Sequence, residues 1–598
     1  MTATGKPRVL LTANYGPNEL ILGEDPYNLT TTRWTRDHGP FSLDMYGHYF
    51  ALYLIAENIT CPTTVLESPH WEDFDRELDQ GYDYVGFELF SIHAAKIARM
   101  MKRVREKSPH TKIFVGGYGV ASLFHPLPGD KNGDAAYIRE NADYICREEG
   151  VRFVRRLLGD EPVEREITQL HVPTFSLGTF LGIPGVHLRI PTVLVSLGCP
   201  NGCDFCNTSA FFKQQKIYIS DPEQTFRWIK NYQRRLGFKQ IIVMLWDEDL
   251  FLNPEYVREL GRMLREDRSM WGVKYYAFGS IRALSQYTAE EIRDCGCQMI
   301  WVGVESFQLG QGRPDDGYAK RQGSAQKVIA DLQAHGVQVT GSLCLGFDFH
   351  TPETMKSDID QFVALKPMFY QISHVLPCPG TALFDRMKEE ERLLDTFGME
   401  GIHFWANDLY RFKDITPEKL RELFNYAHER LANVNGPPML QMLESELDSY
   451  QNLKDYKDTF HRSQAARDRL IASGLCTVIE AVKSSHPSAA VRERARMLEE
   501  RYKREIGDTT TLNQAISEFI AGNYAERVKA PRGPVVSDPP PRWTYYNTFD
   551  DQVHVRKGAA SKSPKPYKDT GFISGKQIPE VVKFVTERVK SIDLVKDL

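Results

Sequence analysis

The chain has 598 residues, enough for about three or four domains of ordinary size. Its content of 42% hydrophobic and 26% charged residues is typical of a globular protein with a large core. The net charge of −5 argues against nucleic acid as the main partner, because phosphate binding needs a strongly basic face. No apolar run approaches the length of a membrane span, and residues 1–6 lack the apolar stretch of a signal peptide. The ten cysteines are mostly scattered, which favours reduced thiols and a cytoplasmic location.

The N-terminal region, residues 1–160, alternates predicted strands with predicted helices. Strands are predicted at 8–14, 63–66, 84–89 and 112–117, and helices at 41–58, 71–80 and 94–107. This alternation predicts an α/β fold, a doubly wound, Rossmann-like parallel sheet that holds ligands at the carboxyl ends of its strands. The glycine pair Gly116-Gly117 ends the fourth strand, where a planar ligand could approach the backbone closely.

Residues 161–190 contain several prolines and little periodicity, which indicates a linker. Three cysteines follow it in one loop, Cys199, Cys203 and Cys206, with the spacing C-x3-C-x2-C. A loop that gathers three thiolates makes a metal or cluster site. A four-iron cluster held by three cysteines keeps one iron open to a substrate or cofactor. Zinc at a structural site would need a fourth protein ligand, and no nearby motif supplies one.

The loop belongs to a second alternating region, residues 191–430. After the strand at 191–195, further strands are predicted at 240–246, 273–280, 299–306, 337–346 and 370–376. Six strand–helix units predict a partial (β/α)6 barrel that is open on one side. The acidic cluster Asp247-Glu248-Asp249 ends the second strand, at the edge where such barrels build their active sites.

The cysteine spacing, with Phe205 before the third cysteine, resembles the signature of the radical S-adenosylmethionine (SAM) superfamily. The resemblance covers residues 190–415 and continues in four short segments, which begin near Asp247, Glu305, Gly346 and Pro377. It implies a [4Fe-4S] cluster on the three cysteines and SAM as a cofactor. The residues that it implies for SAM binding are Phe205, Asp247, Glu248, Asp249, Ser280, Arg282, Glu305, Gly346 and Pro377.

The N-terminal region resembles the cobalamin-binding domain that precedes the barrel in a large radical SAM subfamily. The resemblance is carried by Ser91, by Gly116-Gly117 and by the segment 143–150. The cobalamin-binding residues that it implies are Asn14, Tyr15, Ser91, Gly116, Gly117, Glu149 and Gly150. Many of these domains carry D-x-H-x-x-G after the first strand, whereas here Asn14-Tyr15-Gly16 follows, and His38 has the wrong spacing. Either cobalamin binds without a protein histidine or the domain holds no cobalamin.

Four barrel residues are candidates for a catalytic role. The resemblance implies methyl transfer or radical quenching for Cys344 and Cys378, and proton or radical relay is the corresponding role for Tyr276 and Tyr370. Packing is the favoured interpretation, because free cysteine and aromatic residues are common in cores. Residues 431–598 are predicted to form a mostly α-helical C-terminal domain that includes a flexible stretch rich in proline and lysine. They carry no recognisable motif.

The resemblances together imply a cobalamin-dependent radical SAM methyltransferase. It would move a methyl group from SAM through cobalamin to a carbon of a small metabolite, an amino-acid-derived precursor or a lipid. It would need an electron donor such as flavodoxin or ferredoxin. One alternative is radical SAM chemistry without methyl transfer, namely cyclisation, rearrangement or carbon–carbon coupling, with cobalamin non-methylating or absent. Another is a binding or sensor protein with a structural cluster. The sequence does not name the substrate.

Overall fold

The structure, a computed structural model, describes residues 5–16, 45–46, 48–170, 175–180, 183–236, 241–309, 324–403, 406, 408–529, 542–547 and 554–557. The segment around His38 and the basic stretch 558–568 lie outside the described residues. Within the described residues, no helix is both long and apolar enough to cross a membrane.

The strands are β1 Val9–Thr12, β2 Met45–Tyr46, β3 Thr63–Glu67, β4 Tyr84–Glu88, β5 Lys112–Gly116, β6 Tyr144–Ile145, β7 Phe175–Phe180, β8 Ile183–Ile190, β9 Thr192–Leu194, β10 Ser196–Leu197, β11 Ile217–Tyr218, β12 Ile241–Trp246, β13 Val273–Ser280, β14 Cys297–Glu305, β15 Gln338–Leu345, β16 Phe369–His374, β17 Arg542–Asn547 and β18 His554–Lys557.

The α-helices are α1 Phe50–Glu57, α2 Trp71–Leu78, α3 Ala94–Lys107, α4 Asp134–Asn141, α5 Gly150–Leu158, α6 Asn207–Phe211, α7 Pro222–Leu236, α8 Pro254–Glu266, α9 Ile281–Leu284, α10 Ala289–Asp294, α11 Ala325–Ala334, α12 Pro352–Ala364, α13 Ala382–Glu389, α14 Pro417–Arg430, α15 Pro438–Leu453, α16 Thr459–Leu475, α17 Ile479–Ser485, α18 Ala489–Glu505 and α19 Thr511–Lys529.

The N-terminal sheet confirms the predicted α/β, Rossmann-like fold. Its parallel strands lie in the order β3-β1-β4-β5-β6, with helices between them in sequence. β1 is buried along its whole length, which explains its unbroken apolar sequence. The carboxyl ends of β1, β3 and β4 therefore meet at one edge, which is where ligands bind in such sheets.

A strand from the C-terminal region extends this sheet, which the sequence did not predict. β17 pairs antiparallel with β3, Trp543 opposite Leu66, and β18 pairs with β17. The C-terminal region is thus not helical throughout, because part of it returns to the N-terminal sheet. Two strands lie within the predicted linker at 161–190. β7 and β8 form an antiparallel hairpin there, and β2 pairs with β7.

The second sheet confirms the partial barrel. Six parallel strands lie in the order β16-β15-β14-β13-β12-β9, and β9 and β16 do not pair among the described residues, so the barrel is open. Side chains that face outward from the strands, including Leu245, Ala277 and Val302, pack with the surrounding helices in one core. This packing holds the strand ends in place.

The C-terminal helices have a core of their own and cover the amino-terminal end of the barrel. Gln298 of β14 and Gln338 of β15 both donate hydrogen bonds to Glu446 of α15, at 3.1 and 3.4 Å. Burial raises the pKa of Glu446, and burial lowers the pKa of Lys274 on β13 to about 8. This end of the barrel is closed by a buried polar cluster, so access to the interior is from the other end.

Candidate functional site

The cysteine loop is a tight turn fixed by its own backbone. Gly198 has φ of +79°, and a Cβ there would lie 2.2 Å from the carbonyl oxygen of Gln215, so only glycine fits. Ser209 Oγ donates to the carbonyl of Cys199 at 2.9 Å and accepts from the backbone N–H of Gly202 at 3.1 Å. The loop is thereby held in shape before any ligand binds.

The three thiols of this loop are all free of disulfides. Cys199 and Cys203 are buried and Cys206 is half-buried. Across the described ranges, no three or more His, Cys, Asp or Glu side chains are already grouped to hold a metal ion, these cysteines included.

The acidic segment after β12 anchors the cysteine loop. Asp247 is fully buried, and its carboxylate accepts from Ser196 Oγ at 2.6 Å, from Lys216 Nζ at 2.7 Å and from the N–H of Asp249 at 2.8 Å. Lys216 Nζ also donates to the carbonyl of Asp249 at 2.8 Å. Asp247 is thus engaged by protein donors, and sequence reasoning missed Lys216 because its pairing depends on the tertiary fold.

Asp249 links the loop to the next strand in the same way. Its carboxylate accepts from Asn201 Nδ2 at 2.9 Å and from the N–H of Ser280 at 3.0 Å. Arg282 donates to the side-chain oxygen of Asn201 at 3.3 Å. Ser280 in turn caps α9 through Ala283 N–H. The structure brings these predicted SAM residues together, and the hydrogen bonds described here join them to one another and to the cysteine loop.

Helix α13, which follows the sixth strand, also holds the cysteine loop. The N–H of Leu383 donates to the carbonyl of Asp204 at 2.9 Å, and Arg386 pairs with the Asp204 carboxylate at 3.0 Å. Cys378 N–H bonds back to Leu376 across Pro377 at 2.9 Å. Burial, with the nearby Cys206 thiol, raises the pKa of Cys378 to about 12.

Phe205 extends from the loop towards the fifth strand. Its ring meets that of Phe347 at 5.9 Å, edge to face. Gly346, just before Phe347, has φ of +94°, and a Cβ there would lie 2.9 Å from the Phe412 ring. The predicted positions Phe205 and Gly346 are therefore neighbours at the carboxyl end of the barrel.

Glu305 stands at the end of β14 with an unusual backbone. Its φ is +60°, and the register between β14 and β15 shifts between Gly303 and Glu305. A Cβ on Gly303 would lie 2.6 Å from Glu305 Oε1, so the missing side chain makes room for the carboxylate. Cys344 Sγ donates to Glu305 Oε2 at 3.0 Å and lies 3.2 Å from Ser373 Oγ. Three polar side chains from three adjacent strands thus meet inside the barrel, and Cys344 is one of the predicted candidates.

A buried histidine behind Glu305 fixes the same strand ends. His350 Nδ1 accepts from the N–H of Gly346 at 3.1 Å, and its Nε2 contacts Ser306 Oγ at 3.0 Å and Asp358 at 3.3 Å. Because Nδ1 accepts, Nε2 carries the proton, and burial lowers the pKa of His350. No sequence motif predicts this network.

The two tyrosine candidates lie on opposite faces of the barrel wall. Tyr276 faces inward and stacks on Phe278 at 6.1 Å, and burial raises its pKa. Tyr370 belongs to the outer core and packs against His428 at 5.7 Å. Tyr370 is therefore placed away from the barrel interior.

A cavity of about 150 Å³ lies between the N-terminal sheet and the cysteine loop. The sheet edge contributes Gly86, Glu88, Gly116, Gly117 and Tyr118, helix α1 contributes Ala51, Leu52 and Ile55, and the region around the cysteine loop contributes Leu197, Phe211 and Phe212. Tyr118 donates to Glu248 of the barrel at 3.3 Å, and burial, reinforced by Glu248, raises its pKa well above the ordinary value. The cavity is mostly apolar and is walled by both domains.

Three of the residues expected to bind cobalamin line this cavity: Gly116, Gly117 and Gly150. The other four lie outside its lining. Asn14 accepts from Tyr49, Tyr15 packs on Trp71 at 5.2 Å, Ser91 bonds Ser122 at 2.9 Å, and Glu149 caps α5. Gly117 also has an internal reason to be glycine, since its Cβ would lie 2.9 Å from a carbonyl oxygen of the adjacent strand end.

Glu88 is a polar group of this cavity that sequence reasoning missed. It ends β4, and its Oε2 is inaccessible to solvent and has no hydrogen-bond partner among the described residues. Burial, with a smaller contribution from Glu67, raises its pKa to about 8. At neutral pH the side chain is therefore mostly a neutral acid that can donate a hydrogen bond into the cavity.

The comparisons with known proteins agree with this geometry. Residues 193–362, which include the cysteine loop and Glu305, match the radical SAM superfamily. Bacteriochlorophyllide d C-12(1)-methyltransferase of Chlorobaculum tepidum is 24% identical over 261 residues, 44% of this chain and 55% of that protein. The C-8(2)-methyltransferase of the same organism is 26% identical over 325 residues, 52% of this chain and 69% of that protein. The chain therefore spans about half the length of the first of these relatives.

Two solved structures resemble the chain more distantly. The radical S-adenosylmethionine methyltransferase TsrM from Kitasatospora setae, with cobalamin and a [4Fe-4S] cluster bound, is 12% identical with a TM-score of 0.47; the alignment covers 78% of this chain and all of that one. The cobalamin-dependent S-adenosylmethionine radical enzyme OxsB is 13% identical with a TM-score of 0.40, covering 88% of this chain and 80% of that one.

Proposed function

Because the chain contains a radical SAM domain, we propose that it is a cobalamin-dependent radical SAM methyltransferase acting on a carbon centre of a small molecule. The observation that carries the proposal is the cavity between the N-terminal sheet edge and the cysteine loop. A ligand there would lie next to the cluster loop and at the mouth of the barrel. The methyltransferase names of the relatives support the same reaction class.

Cys199, Cys203 and Cys206 would hold a [4Fe-4S] cluster. The chemistry fits, because the three cysteines form no disulfide and lie on one short loop, and three thiolate ligands would leave one iron open for SAM. When bound, the cluster supplies the electron for reductive cleavage of SAM. An iron–sulfur cluster and cysteines without disulfides suit a reducing, cytoplasmic compartment, and a flavodoxin- or ferredoxin-type protein would supply electrons.

The barrel residues would position SAM. Glu305 offers a carboxylate that can accept from the ammonium or ribose hydroxyls of SAM, and the Cys344 thiol orients it from behind. Asp247 and Asp249 act differently, since they hold the cysteine loop and the end of β13 in register. Phe205 and Gly346 would shape the apolar side of the same site.

The cavity walls would hold the planar face of cobalamin, the cofactor that supplies a transferable methyl group when bound. Gly116, Gly117 and Gly150 bring backbone to the surface, and most of the surrounding side chains are apolar. The enclosed volume of about 150 Å³ is below that of most cofactor pockets, so a corrinoid would extend beyond it. Among the described residues, the lining of this cavity contains no histidine.

The proposal is tested with protein that has been reconstituted anaerobically with iron, sulfide and hydroxocobalamin. We expect visible absorbance from both cluster and corrinoid and reductive SAM cleavage. Changing Cys199, Cys203 and Cys206 together to Ala should remove the cluster absorbance and SAM cleavage, while the control Cys476→Ala, in the helical domain, should retain both. SAM cleavage by the triple variant would refute the cluster assignment.

Retention of corrinoid decides between methyl transfer and the other radical SAM reactions. Failure to bind any corrinoid, with SAM cleavage intact, would exclude the methyltransferase and favour cyclisation, rearrangement or carbon–carbon coupling. Incubation with methyl-labelled SAM and cell extract, followed by identification of the labelled product, would then name the substrate.

A further inference from the structure

Four aromatic side chains cross the inner face of the barrel on three adjacent strands. Phe278 of β13 stacks on Trp301 of β14, with ring centres 5.3 Å apart and planes 25° apart. Tyr276 stacks on Phe278 at 6.1 Å and 26°, and Trp246 of β12 meets Phe278 edge to face at 5.7 Å. We call these four residues the aromatic ladder.

The ladder faces the interior of the barrel, not the surrounding helices. Neighbouring strand residues point to opposite faces, and Leu245, Ala277 and Val302, which alternate with the ladder, all belong to the outer core. The ladder residues are half-buried, whereas those outer-core residues are inaccessible. The exposed ring surface therefore lies in the open interior.

The ladder is rigid and continuous with the proposed site. Trp301 Nε1 donates to Ser342 Oγ at 2.7 Å, which fixes the plane of the indole. Four residues further along the same strand is Glu305, about 13 Å away in extended chain. At the other side, Trp246 packs in a cluster with Ile55 and Leu197, which both line the cavity. The ladder thus joins the cavity wall to the SAM side of the barrel.

We propose that the aromatic ladder is the binding surface for a planar, largely apolar aromatic substrate, an inference that rests on the proposed function. Three preset rings with planes within about 26° of their neighbours, and a fourth edge to face, favour another π system, because stacked and edge-to-face contacts add to simple burial of area. A sugar or peptide would require more polar partners than this face offers. A flexible lipid chain would gain little from fixed ring planes. The ladder therefore narrows the substrate class to flat ring systems.

The test compares two neutral probes that share one carbon skeleton, 2-naphthol and decahydro-2-naphthol, by calorimetric titration of the reconstituted protein. Stacking predicts that the aromatic probe binds about two- to tenfold more tightly than the saturated one. Phe278→Leu and Trp246→Leu should each abolish this preference. Phe226→Leu, the same kind of change on helix α7 outside the barrel, should preserve it. Thermal unfolding identifies which variants are folded.

Equal affinity of wild-type protein for the two probes, or no measurable binding of either, would overturn the proposal. So would a preference that survives in a folded ladder variant. This readout does not depend on methyl transfer. A protein that prefers 2-naphthol but binds no corrinoid would refute the proposed function and support the ladder as a binding surface. Methyl transfer by a protein without this preference would support the proposed function and refute the ladder as a binding surface.

Discussion

Replacing Glu88 by Gln tests the unusual acid at the cavity wall. The change keeps the shape of the side chain but removes its ability to ionise. Glu88 ends β4, it faces the cavity, and burial raises its pKa from 4.5 to about 8. The proximity of Glu67, itself fully buried and bonded to His48, adds to the shift. Wild-type protein must therefore keep a proton here that an unfolded chain releases.

The size of the effect follows from linkage. A shift of about 3.5 pH units corresponds to about 5 kcal/mol at 1.36 kcal/mol per unit. Because the folded-state pKa is raised, the folded state binds the proton more tightly, and wild-type stability is lost as pH rises from 4.5 to about 8. The Glu88→Gln variant has no ionisable group at this position, so its stability does not fall with pH for this reason. Between pH 5 and pH 8 the variant should gain about 4 kcal/mol relative to wild type.

The assay is thermal unfolding of both proteins at half-unit steps from pH 5 to 9, with infrared spectra at pH 6 and pH 9. The difference in Tm should widen with pH and level off above about pH 8. The wild-type spectrum should contain a protonated carboxyl band at pH 6 that the variant lacks. Glu140→Gln, at an exposed helix position, is the control. It should keep the pH dependence of Tm and the protonated carboxyl band of the wild-type protein. A Tm difference independent of pH would refute the buried neutral acid.

Three further changes probe the site and the fold. Lys216→Met should leave the buried carboxylate of Asp247 without its cation, which costs about 3–5 kcal/mol, seen as a lower Tm and reduced cluster content; an unchanged Tm would contradict the anchoring role. Gly303→Ala should push the flexible Glu305 carboxylate aside with little loss of stability. Calorimetry should therefore find weaker SAM binding at an unchanged Tm. Unaltered affinity for SAM would exclude Glu305 from the SAM site. Truncation after residue 529 should expose the edge of β3 and promote aggregation, measured by light scattering, and a monodisperse product would show that β17 is dispensable.

Local patterns explain why most elements could be predicted from the sequence. Helix α3 occupies Ala94–Lys107, and β13 occupies Val273–Ser280, as their periodicity indicates. The strand β17 could not be predicted in this way. Its partner β3 lies more than 470 residues away in the chain, and pairing at such separation depends on the assembled sheet rather than on its own residues. The hairpin β7–β8 was missed because its proline-containing sequence lacks an alternating pattern.

Some residues of the candidate site could likewise be predicted from local sequence motifs, and others depend on the tertiary fold. The cysteine loop and the strand ends near Glu305 and Gly346 follow from motifs that are contiguous in sequence. Whether a carboxylate accepts hydrogen bonds from the protein or faces a cavity depends on donors that are distant in sequence, such as Lys216 for Asp247. Glu88 carries no local motif, and only the fold reveals that one of its oxygens lacks a partner among the described residues.

The cavity lies between the two domains, so a ligand bound in it would contact both. Gly116 and Gly117 come from the N-terminal sheet, while Leu197 and Phe211 come from the barrel, so neither domain encloses the cavity alone. Tyr118 reaches across to Glu248 at the same place. A ligand that contacts both walls binds more tightly when the two domains are in contact than when they are apart. It therefore stabilises the contact between the domains by the difference between these two binding free energies. Corrinoid binding should therefore stabilise domain docking, and disruption of the interface should weaken corrinoid binding by the same factor.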